Sequence, residues 1–211
     1  MMYNILRVIL GLILKLIWVE KVEGVENMPK TGGVIIASNH ESYFDFLSFA
    51  ALSPRPVHYL AAEKFFNGQL WWWTPLMKMT GQICVDRKSK DKTSAVQAAV
   101  DLIGKGKVFG IFPEGTRSSD GHLQKAFTGV AKIALIAKVP VVPVGIVGAF
   151  EIMPRTQNYP NLGIKMRLKI GQPIDLSEYY GKENDQEVLR FITDKIIMKR
   201  IGELAEEKYD F

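Results

Sequence analysis

A histidine and an aspartate, His40 and Asp45, are the side chains of this sequence best suited to acid–base chemistry. An imidazole titrates near neutral pH, and a carboxylate that holds one ring nitrogen leaves the other nitrogen to accept a proton. The pair lies between an apolar run at residues 34–37, typical of a buried strand, and an apolar stretch at 46–52, typical of a helix. Open α/β sheets place their binding sites at such strand-to-helix crossings. The pattern therefore indicates a general base at the edge of a sheet.

The same residues also have a purely structural interpretation. Ser42 and Asp45 have the spacing of a capping box at the start of a helix, where the carboxylate binds backbone amides. His40 would then be an ordinary loop histidine. The two interpretations are compatible, because an aspartate that is fixed in the first helical turn is well placed to hold a preceding imidazole. The segment alone leaves both interpretations open.

A second polar segment follows an apolar run at residues 107–112 that predicts another strand. Gly115 allows the backbone to approach a ligand closely, and the guanidinium of Arg117 has the planar fork that suits phosphate. The alternative is a surface loop that is simply rich in turn residues. The segment itself therefore offers Gly115, the hydroxyls of Thr116 and Ser118, and Arg117 as candidate binding groups.

A third polar segment, Arg87 and Lys88, follows a predicted strand at residues 81–86. A solvated loop explains such a basic pair more often than a ligand does. However, all three polar segments follow strands, and the carboxyl ends of parallel strands share one edge of a sheet. We therefore expect the base, its carboxylate and the two arginines, Arg87 and Arg117, to converge on one cleft.

The elements that must position these side chains alternate along the chain. This alternation predicts an α/β fold with a mostly parallel mixed sheet that is flanked by helices. Strands are predicted over residues 34–38, 57–60, 81–86, 107–112, 141–147 and 165–170, and helices over 42–52, 92–103, 129–138 and 184–207.

The first 20 residues predict a separate element, an amphipathic helix that lies in the membrane interface. The segment is almost wholly apolar, but it is shorter than the about 20 apolar residues that a spanning helix needs. A short, tilted anchor is the alternative. Residues 21–211 are then expected to form a single α/β domain. The polar stripe of the helix, within an arc of roughly 80° at helical periodicity, consists of Asn4, Arg7, Gly11, Lys15 and Trp18.

The composition narrows the class of partner. A chain of 211 residues with 47% hydrophobic residues can build one domain core, and its net charge of +5 favours an anionic partner. A membrane surface or a phosphorylated substrate fits better than nucleic acid, because no block of basic residues or nucleic-acid motif is present. One cysteine excludes an internal disulfide, and no Cys/His cluster has metal-ligand spacing, so we expect no metal.

The chain lacks the Gly-x-Ser-x-Gly elbow of common hydrolases and the phosphate loop of nucleotidases. Without a clear protein nucleophile, the base is expected to activate a substrate hydroxyl that attacks an acyl donor directly. An alcohol is too weak an acid for imidazole to ionise beforehand, so proton removal must accompany the attack.

Four blocks of this sequence together resemble the 1-acyl-sn-glycerol-3-phosphate acyltransferase (lysophosphatidic acid acyltransferase) family of glycerolipid acyltransferases. The first and third blocks together are highly specific. In order, the blocks are Asn39-His40-x-Ser42-x-x-Asp45, residues 81–87, Phe112-Pro113-Glu114-Gly115-Thr116-Arg117-Ser118, and Val139-Pro140-Val141-Val142-Pro143-Val144.

The resemblance implies transfer of a fatty acyl group from acyl-CoA or acyl carrier protein, as co-substrate, to the sn-2 hydroxyl of lysophosphatidic acid. It implies no bound cofactor, and a peripheral enzyme on the phospholipid surface at the cytoplasmic face of the membrane. The alternatives are another acceptor, such as glycerol 3-phosphate or a lyso-ornithine lipid, and a non-catalytic membrane lipid-binding protein. By resemblance, His40 is the base and Asp45 its partner, and the glycerol phosphate is bound by Arg87, Glu114, Gly115, Thr116 and Arg117.

One position departs from the family pattern. Members often carry a Lys or Arg shortly before the glycine that corresponds to Gly129, but Phe127 and Thr128 occupy that stretch here. Lys125 lies slightly further back and is the candidate substitute as a phosphate ligand.

Overall fold

The computed structural model describes residues 2–63, 66, 74, 77, 81–85, 93–157 and 159–211. Within these residues seven strands form one sheet. The strands are β1 (Val19–Glu23), β2 (Val34–Ser38), β3 (Val57–Ala62), β4 (Ile83–Val85), β5 (Val108–Ile111), β6 (Val141–Val147) and β7 (Met166–Ile170). Their spatial order is β1-β7-β6-β2-β5-β3-β4, and all neighbours run parallel except the antiparallel pair β6 and β7.

Helices cover both faces of this sheet. On one face lie α1 (Met2–Ile17), α2 (Tyr43–Leu52) and the short α5 (Ala149–Ile152). On the other face lie α3 (Thr93–Gly104), α4 (Gly129–Ala137) and a C-terminal helical segment made of α6 (Gln186–Phe191), a π-helical stretch (Ile192–Met198) and α7 (Lys199–Ala205).

The central strand β2 shows why its sequence is continuously apolar. Successive side chains of a strand point to opposite faces, and both faces of this strand are covered by helices. Val34 and Ile36 accordingly pack in the core beneath α2, whereas Ile35 and Ala37 pack beneath α3 and α4. All five residues of β2 are buried.

The predicted fold class is confirmed, as a mostly parallel mixed sheet flanked by helices. Among the strands and α-helices, two were not predicted. The strand β1 has only one buried residue and three charged ones, so it lacks an apolar run, and it forms an edge of the sheet beside β7. The helix α5 is too short to show a period. The domain boundary predicted between residues 20 and 21 falls inside β1.

The N-terminal helix α1 packs on α2 and leaves an apolar face exposed. A Cβ atom on Gly11 would lie 3.0 Å from the backbone oxygen of Ala51, and Leu14 is buried. The exposed side chains of the opposite face include Leu12 and Leu16, which are 64% and 80% exposed. None of the described helices is both long enough and apolar enough to cross a bilayer.

The prediction of one continuous polar stripe on this helix is wrong in part. Gly11 faces the protein, and the indole N–H of Trp18 donates a hydrogen bond to the backbone oxygen of Asn161 at 2.8 Å. The Trp18 ring also meets the edge of Phe44 in α2, with centroids 5.1 Å apart. Lys15 is exposed as expected, and the side chains of Asn4 and Arg7 lie outside those described.

Candidate active site

Two of the three predicted polar segments meet at one edge of the sheet. The strands β2 and β5 are parallel neighbours, with Ala37 paired to Ile111, so the residues that follow each strand emerge side by side. The strand β2 lies between β5 and β6, at the centre of the sheet. This edge therefore brings His40 together with the 114–117 segment, while Arg87 lies outside the described residues.

His40 and Asp45 form the expected pair. The Nδ1 atom of His40 lies 2.9 Å from Oδ2 of Asp45. The Asp45 side chain is completely buried, whereas the His40 side chain is 18% exposed. Within the described part of the chain Nε2 has no hydrogen-bond partner, so this nitrogen is the one available to a substrate. This geometry is that of a general base oriented by a carboxylate.

The capping interpretation of Asp45 is also correct. Its Oδ2 atom accepts hydrogen bonds from the backbone N–H groups of Glu41 at 2.6 Å and Ser42 at 2.7 Å. The Ser42 hydroxyl in turn accepts from the N–H of Phe44 and donates to the backbone oxygen of Met153. The capping box therefore fixes the carboxylate in the orientation that holds His40.

The ring of His40 is held from one side by an aromatic stack. It lies on the ring of Phe112 with centroids 3.9 Å apart and an angle of 13° between the planes. Phe112 is stacked in turn on Tyr59, with centroids 5.5 Å apart. Since Phe112 follows β5 and Tyr59 lies in β3, two neighbouring strands restrain the rotation of the imidazole.

Glu114 binds the protein's own backbone. One carboxylate oxygen accepts from the N–H of His40 and the other from the N–H of Gln124, each at 2.7 Å. The residue is only 2% exposed. The backbone N–H of Ser118 donates to the oxygen of His40 at 2.7 Å, which completes the link between the two loops. Glu114 was predicted to bind substrate, and that stays a prediction; in the structure both of its carboxylate oxygens bind backbone N–H groups, and one of these belongs to His40.

Asn39 and Glu41 fix the other side of the histidine loop. The Asn39 amide both donates to and accepts from the backbone of Ile146 in β6, each at 2.8 Å. It also donates to Glu41 at 2.7 Å. The side-chain amide thus replaces a peptide group and continues the pairing of β2 with β6 beyond the end of the strand.

The two buried glutamates have strongly altered acidity. Burial, together with repulsion from Asp45, raises the pKa of Glu41 from its ordinary 4.5 to about 9. Burial also raises the pKa of Glu114 from 4.5 to about 7, although the N–H groups of Gln124 and His40 lower it. Glu41 is therefore neutral near pH 7 and places no second negative charge beside Asp45.

The remaining predicted binding residues lie at the open side of the loop that follows β5. Gly115 has a φ of 71°, which favours glycine, and a Cβ atom there would lie 2.9 Å from the Phe127 ring. Thr116 is exposed. Lys125 is exposed too, and follows Gln124, whose N–H binds Glu114.

Arg117 has a buried donor that lacks an acceptor. Among the described residues its Nη1 atom has no hydrogen-bond partner. The guanidinium lies over the ring of Tyr43, with its central carbon 3.7 Å from the ring centroid. A planar cation with an unpaired buried N–H is suited to a phosphate oxygen.

Several residues of this site were not predicted. Tyr43 and Phe112 are aromatic positions whose role depends on loops that meet only in the folded chain. The sequence signal for Glu41 is its position between His40 and the helix cap, where an ionisable side chain is expected to be buried. The predictions gave no role to Asn39, Glu41, Tyr43 or Phe112.

The fold and the site define the class of protein as an acyltransferase. The chain belongs to the Acyltransferase family, whose model matches residues 20–147. This range contains His40, Asp45 and the whole 114–117 segment.

Individual relatives agree with this assignment. The chain is 30% identical over 210 residues to a 1-acyl-sn-glycerol-3-phosphate acyltransferase of Bacillus subtilis, covering 99% of both proteins. It is 30% identical over 167 residues to a chloroplastic 1-acyl-sn-glycerol-3-phosphate acyltransferase of Brassica napus, covering 78% of this chain and 46% of that protein. The crystal structure of the 1-acyl-sn-glycerophosphate (LPA) acyltransferase from Thermotoga maritima is similar with a TM-score of 0.69 and 26% identity, covering 92% of this chain and 75% of that one.

Proposed function

We propose that this enzyme is a 1-acyl-sn-glycerol-3-phosphate O-acyltransferase. It transfers a fatty acyl group from a thioester to the sn-2 hydroxyl of lysophosphatidic acid, and the product is phosphatidic acid. The observation that carries the proposal is the 2.9 Å contact between His40 and Asp45, beside the loop of Arg117, whose buried Nη1 atom has no acceptor among the described residues. The full-length similarity to the Bacillus subtilis protein of that name supports it.

The first chemical step uses His40 as the base. Its Nε2 atom accepts the proton of the sn-2 hydroxyl while the oxygen attacks the thioester carbonyl. The imidazolium that forms is stabilised by the Asp45 carboxylate at Nδ1. Because Asp45 is buried, its charge acts on the imidazolium with little screening by water.

The second step releases the donor. The tetrahedral oxyanion collapses, the carbon–sulfur bond breaks, and the thiolate takes the proton back from the imidazolium. The base is thereby restored and the products are the ester and a free thiol. The thiol belongs to coenzyme A or to acyl carrier protein, and no bound cofactor takes part.

The acceptor's phosphate is the natural partner of the basic and polar groups after β5. Arg117 supplies the planar fork, and Thr116 and Lys125 are exposed on the same stretch. Arg87 remains a predicted contributor. Glu114 and Gly115 shape this loop, through the contacts of the carboxylate and the backbone conformation of the glycine.

The helix α1 is proposed to bind the enzyme to the lipid surface. Its exposed apolar face, which includes Leu12 and Leu16, suits burial among acyl chains at the interface. A positive net charge of +5 favours the anionic cytoplasmic leaflet. We propose a peripheral enzyme at the cytoplasmic face of the membrane.

The test is an acyl-transfer assay with purified protein and lysophosphatidic acid, with coenzyme A and carrier-protein thioesters as alternative donors. Glycerol 3-phosphate and a lyso-ornithine lipid serve as competing acceptors. Phosphatidic acid formation that falls by more than about 10²-fold in His40→Ala, while the variant stays folded, is the expected result. Faster turnover of another acceptor would overturn the proposed substrate. Activity of His40→Ala within tenfold of wild type would overturn the role of His40 as the base.

A further inference from the structure

Arg117 and Tyr43 connect the two halves of the site through a stacked contact. Tyr43 is the first residue of α2 and lies two residues before Asp45. The guanidinium carbon of Arg117 lies 3.7 Å from the centre of the Tyr43 ring. The tyrosine is 43% exposed, so one face of the ring binds the guanidinium while much of the side chain remains in contact with solvent.

This contact restricts a side chain that would otherwise be free to turn. The backbone next to Arg117 is already fixed, because the N–H of Ser118 donates to the oxygen of His40 at 2.7 Å. A flexible arginine would normally orient its donors toward water, yet Nη1 of Arg117 is buried without a partner in the described part of the chain. The stack on Tyr43 therefore holds the guanidinium plane in place before any ligand binds.

We propose that Tyr43 is a positioning residue for the acceptor's phosphate, which holds the guanidinium of Arg117 at a set place relative to His40. This inference rests on the proposed function of the site. Tyr43 and Asp45 lie on the same capped helical turn, so the base and the phosphate anchor are positioned by one rigid element. That arrangement selects acceptors whose phosphomonoester lies a fixed distance from the reacting hydroxyl.

The face of the ring, not the hydroxyl, carries this role, which makes the conservative variant informative. Tyr43→Phe keeps the aromatic face and should keep a low KM for lysophosphatidic acid. Tyr43→Leu removes the aromatic face but keeps an apolar side chain, and should raise that KM by about 3- to 30-fold, the range of a cation–π contact. The change in kcat should be smaller, since the pair His40–Asp45 is not altered.

The experiment measures initial rates for wild type, Tyr43→Phe and Tyr43→Leu with lysophosphatidic acid and with a monoacylglycerol, which lacks the phosphate. Tyr43→Leu should lose affinity only for the phosphorylated acceptor. In an Arg117→Ala background Tyr43→Leu should have no further effect on KM, because the group that it positions is absent. Phe191→Leu, which alters an exposed aromatic side chain on the opposite face of the sheet, is the matched control.

Three results would overturn the inference: an unchanged KM in Tyr43→Leu, an equal loss for both acceptors, or effects of Tyr43→Leu and Arg117→Ala that simply add. Failure of wild type to acylate lysophosphatidic acid would instead overturn the proposed function. The affinity for glycerol 3-phosphate, measured by calorimetry, tests Tyr43 in that case too. Equal affinities of Tyr43→Phe and Tyr43→Leu for glycerol 3-phosphate would then count against the positioning role of Tyr43.

Discussion

One oxygen of the Glu114 carboxylate accepts a hydrogen bond from the backbone N–H of His40 at 2.7 Å, although the two residues are 74 positions apart in the chain. The second oxygen accepts from the N–H of Gln124. A single buried carboxylate thus ties the loop of the base to the loop that follows β5. The relation explains why a glutamate occurs in a segment that otherwise suits an anionic ligand.

Glu114→Gln should lower stability and kcat together. The amide has one acceptor oxygen, so one of the two backbone N–H groups would face an NH₂ group and lose its hydrogen bond. We expect a loss of about 1–3 kcal/mol in the free energy of unfolding. The backbone of His40 should also be less well held, so kcat should fall while KM for lysophosphatidic acid changes little. Urea unfolding and steady-state kinetics measure these effects.

A direct role of Glu114 in substrate binding predicts the opposite pattern, with a raised KM and unchanged stability. Glu203→Gln is the matched control, since Glu203 is an exposed glutamate that is paired with Arg200 on α7. It should leave both kcat and KM as in wild type.

Asp45→Asn separates the catalytic role of this residue from its capping role. The Oδ1 atom of Asp45 is buried without a hydrogen-bond partner among the described residues, so the new NH₂ group can occupy that position. The remaining oxygen then keeps the place of Oδ2 and still accepts from His40, Glu41 and Ser42. The substitution removes the charge that stabilises the imidazolium, and it places an NH₂ group where no acceptor is present among the described residues.

We therefore expect kcat to fall by about 10²- to 10⁴-fold, the usual contribution of general acid–base catalysis. The free energy of unfolding should fall by about 1–3 kcal/mol, because charge-assisted hydrogen bonds become neutral ones and the NH₂ group is buried without an acceptor. Asp101→Asn, on the exposed side of α3, is the control. Substantial destabilisation of Asp45→Asn with an unchanged kcat would mean that Asp45 is a helix cap only.

Glu41→Gln should change how stability depends on pH. The folded protein raises the pKa of Glu41 from 4.5 to about 9, so the native state holds this proton more tightly than the unfolded chain does. The stabilisation is complete below the unfolded pKa and is lost as pH rises through the folded pKa. Wild type should therefore lose stability between about pH 5 and pH 9, because over this range Glu41 ionises in the unfolded chain but stays protonated in the folded protein.

The glutamine variant cannot ionise, and its oxygen can still accept from Asn39. Its stability should be close to that of wild type near pH 5 and should exceed it near pH 9. Urea unfolding at a series of pH values measures the difference. Glu26→Gln, at an exposed position, should follow wild type throughout. A constant difference between Glu41→Gln and wild type across this range would contradict the altered acidity.

Local pattern and loop contacts explain which parts of this molecule could be predicted. The continuous apolar run of β2 and the capping box at Ser42 are local features, so the strand, the helix and the His40–Asp45 pair follow from the sequence. The role of Glu114 does not, because its partners His40 and Gln124 come together only in the fold. The edge strand β1 was not predicted, because it has no apolar run and its place in the sheet depends on pairing with β7.

The exposed face of α1 provides the last prediction. Replacement of both Leu12 and Leu16 by glutamate should weaken binding to vesicles of anionic phospholipid by more than about tenfold, because each leucine loses up to about 2 kcal/mol of apolar burial in lipid. These side chains are 64% and 80% exposed, so the fold should tolerate the change. Turnover of vesicle-bound lysophosphatidic acid should fall, whereas turnover of a water-soluble short-chain acceptor should not. Phe191→Glu, on the opposite face of the sheet, is the control and should sediment with vesicles as wild type does. If the double variant sediments equally well, another surface must hold the enzyme at the membrane.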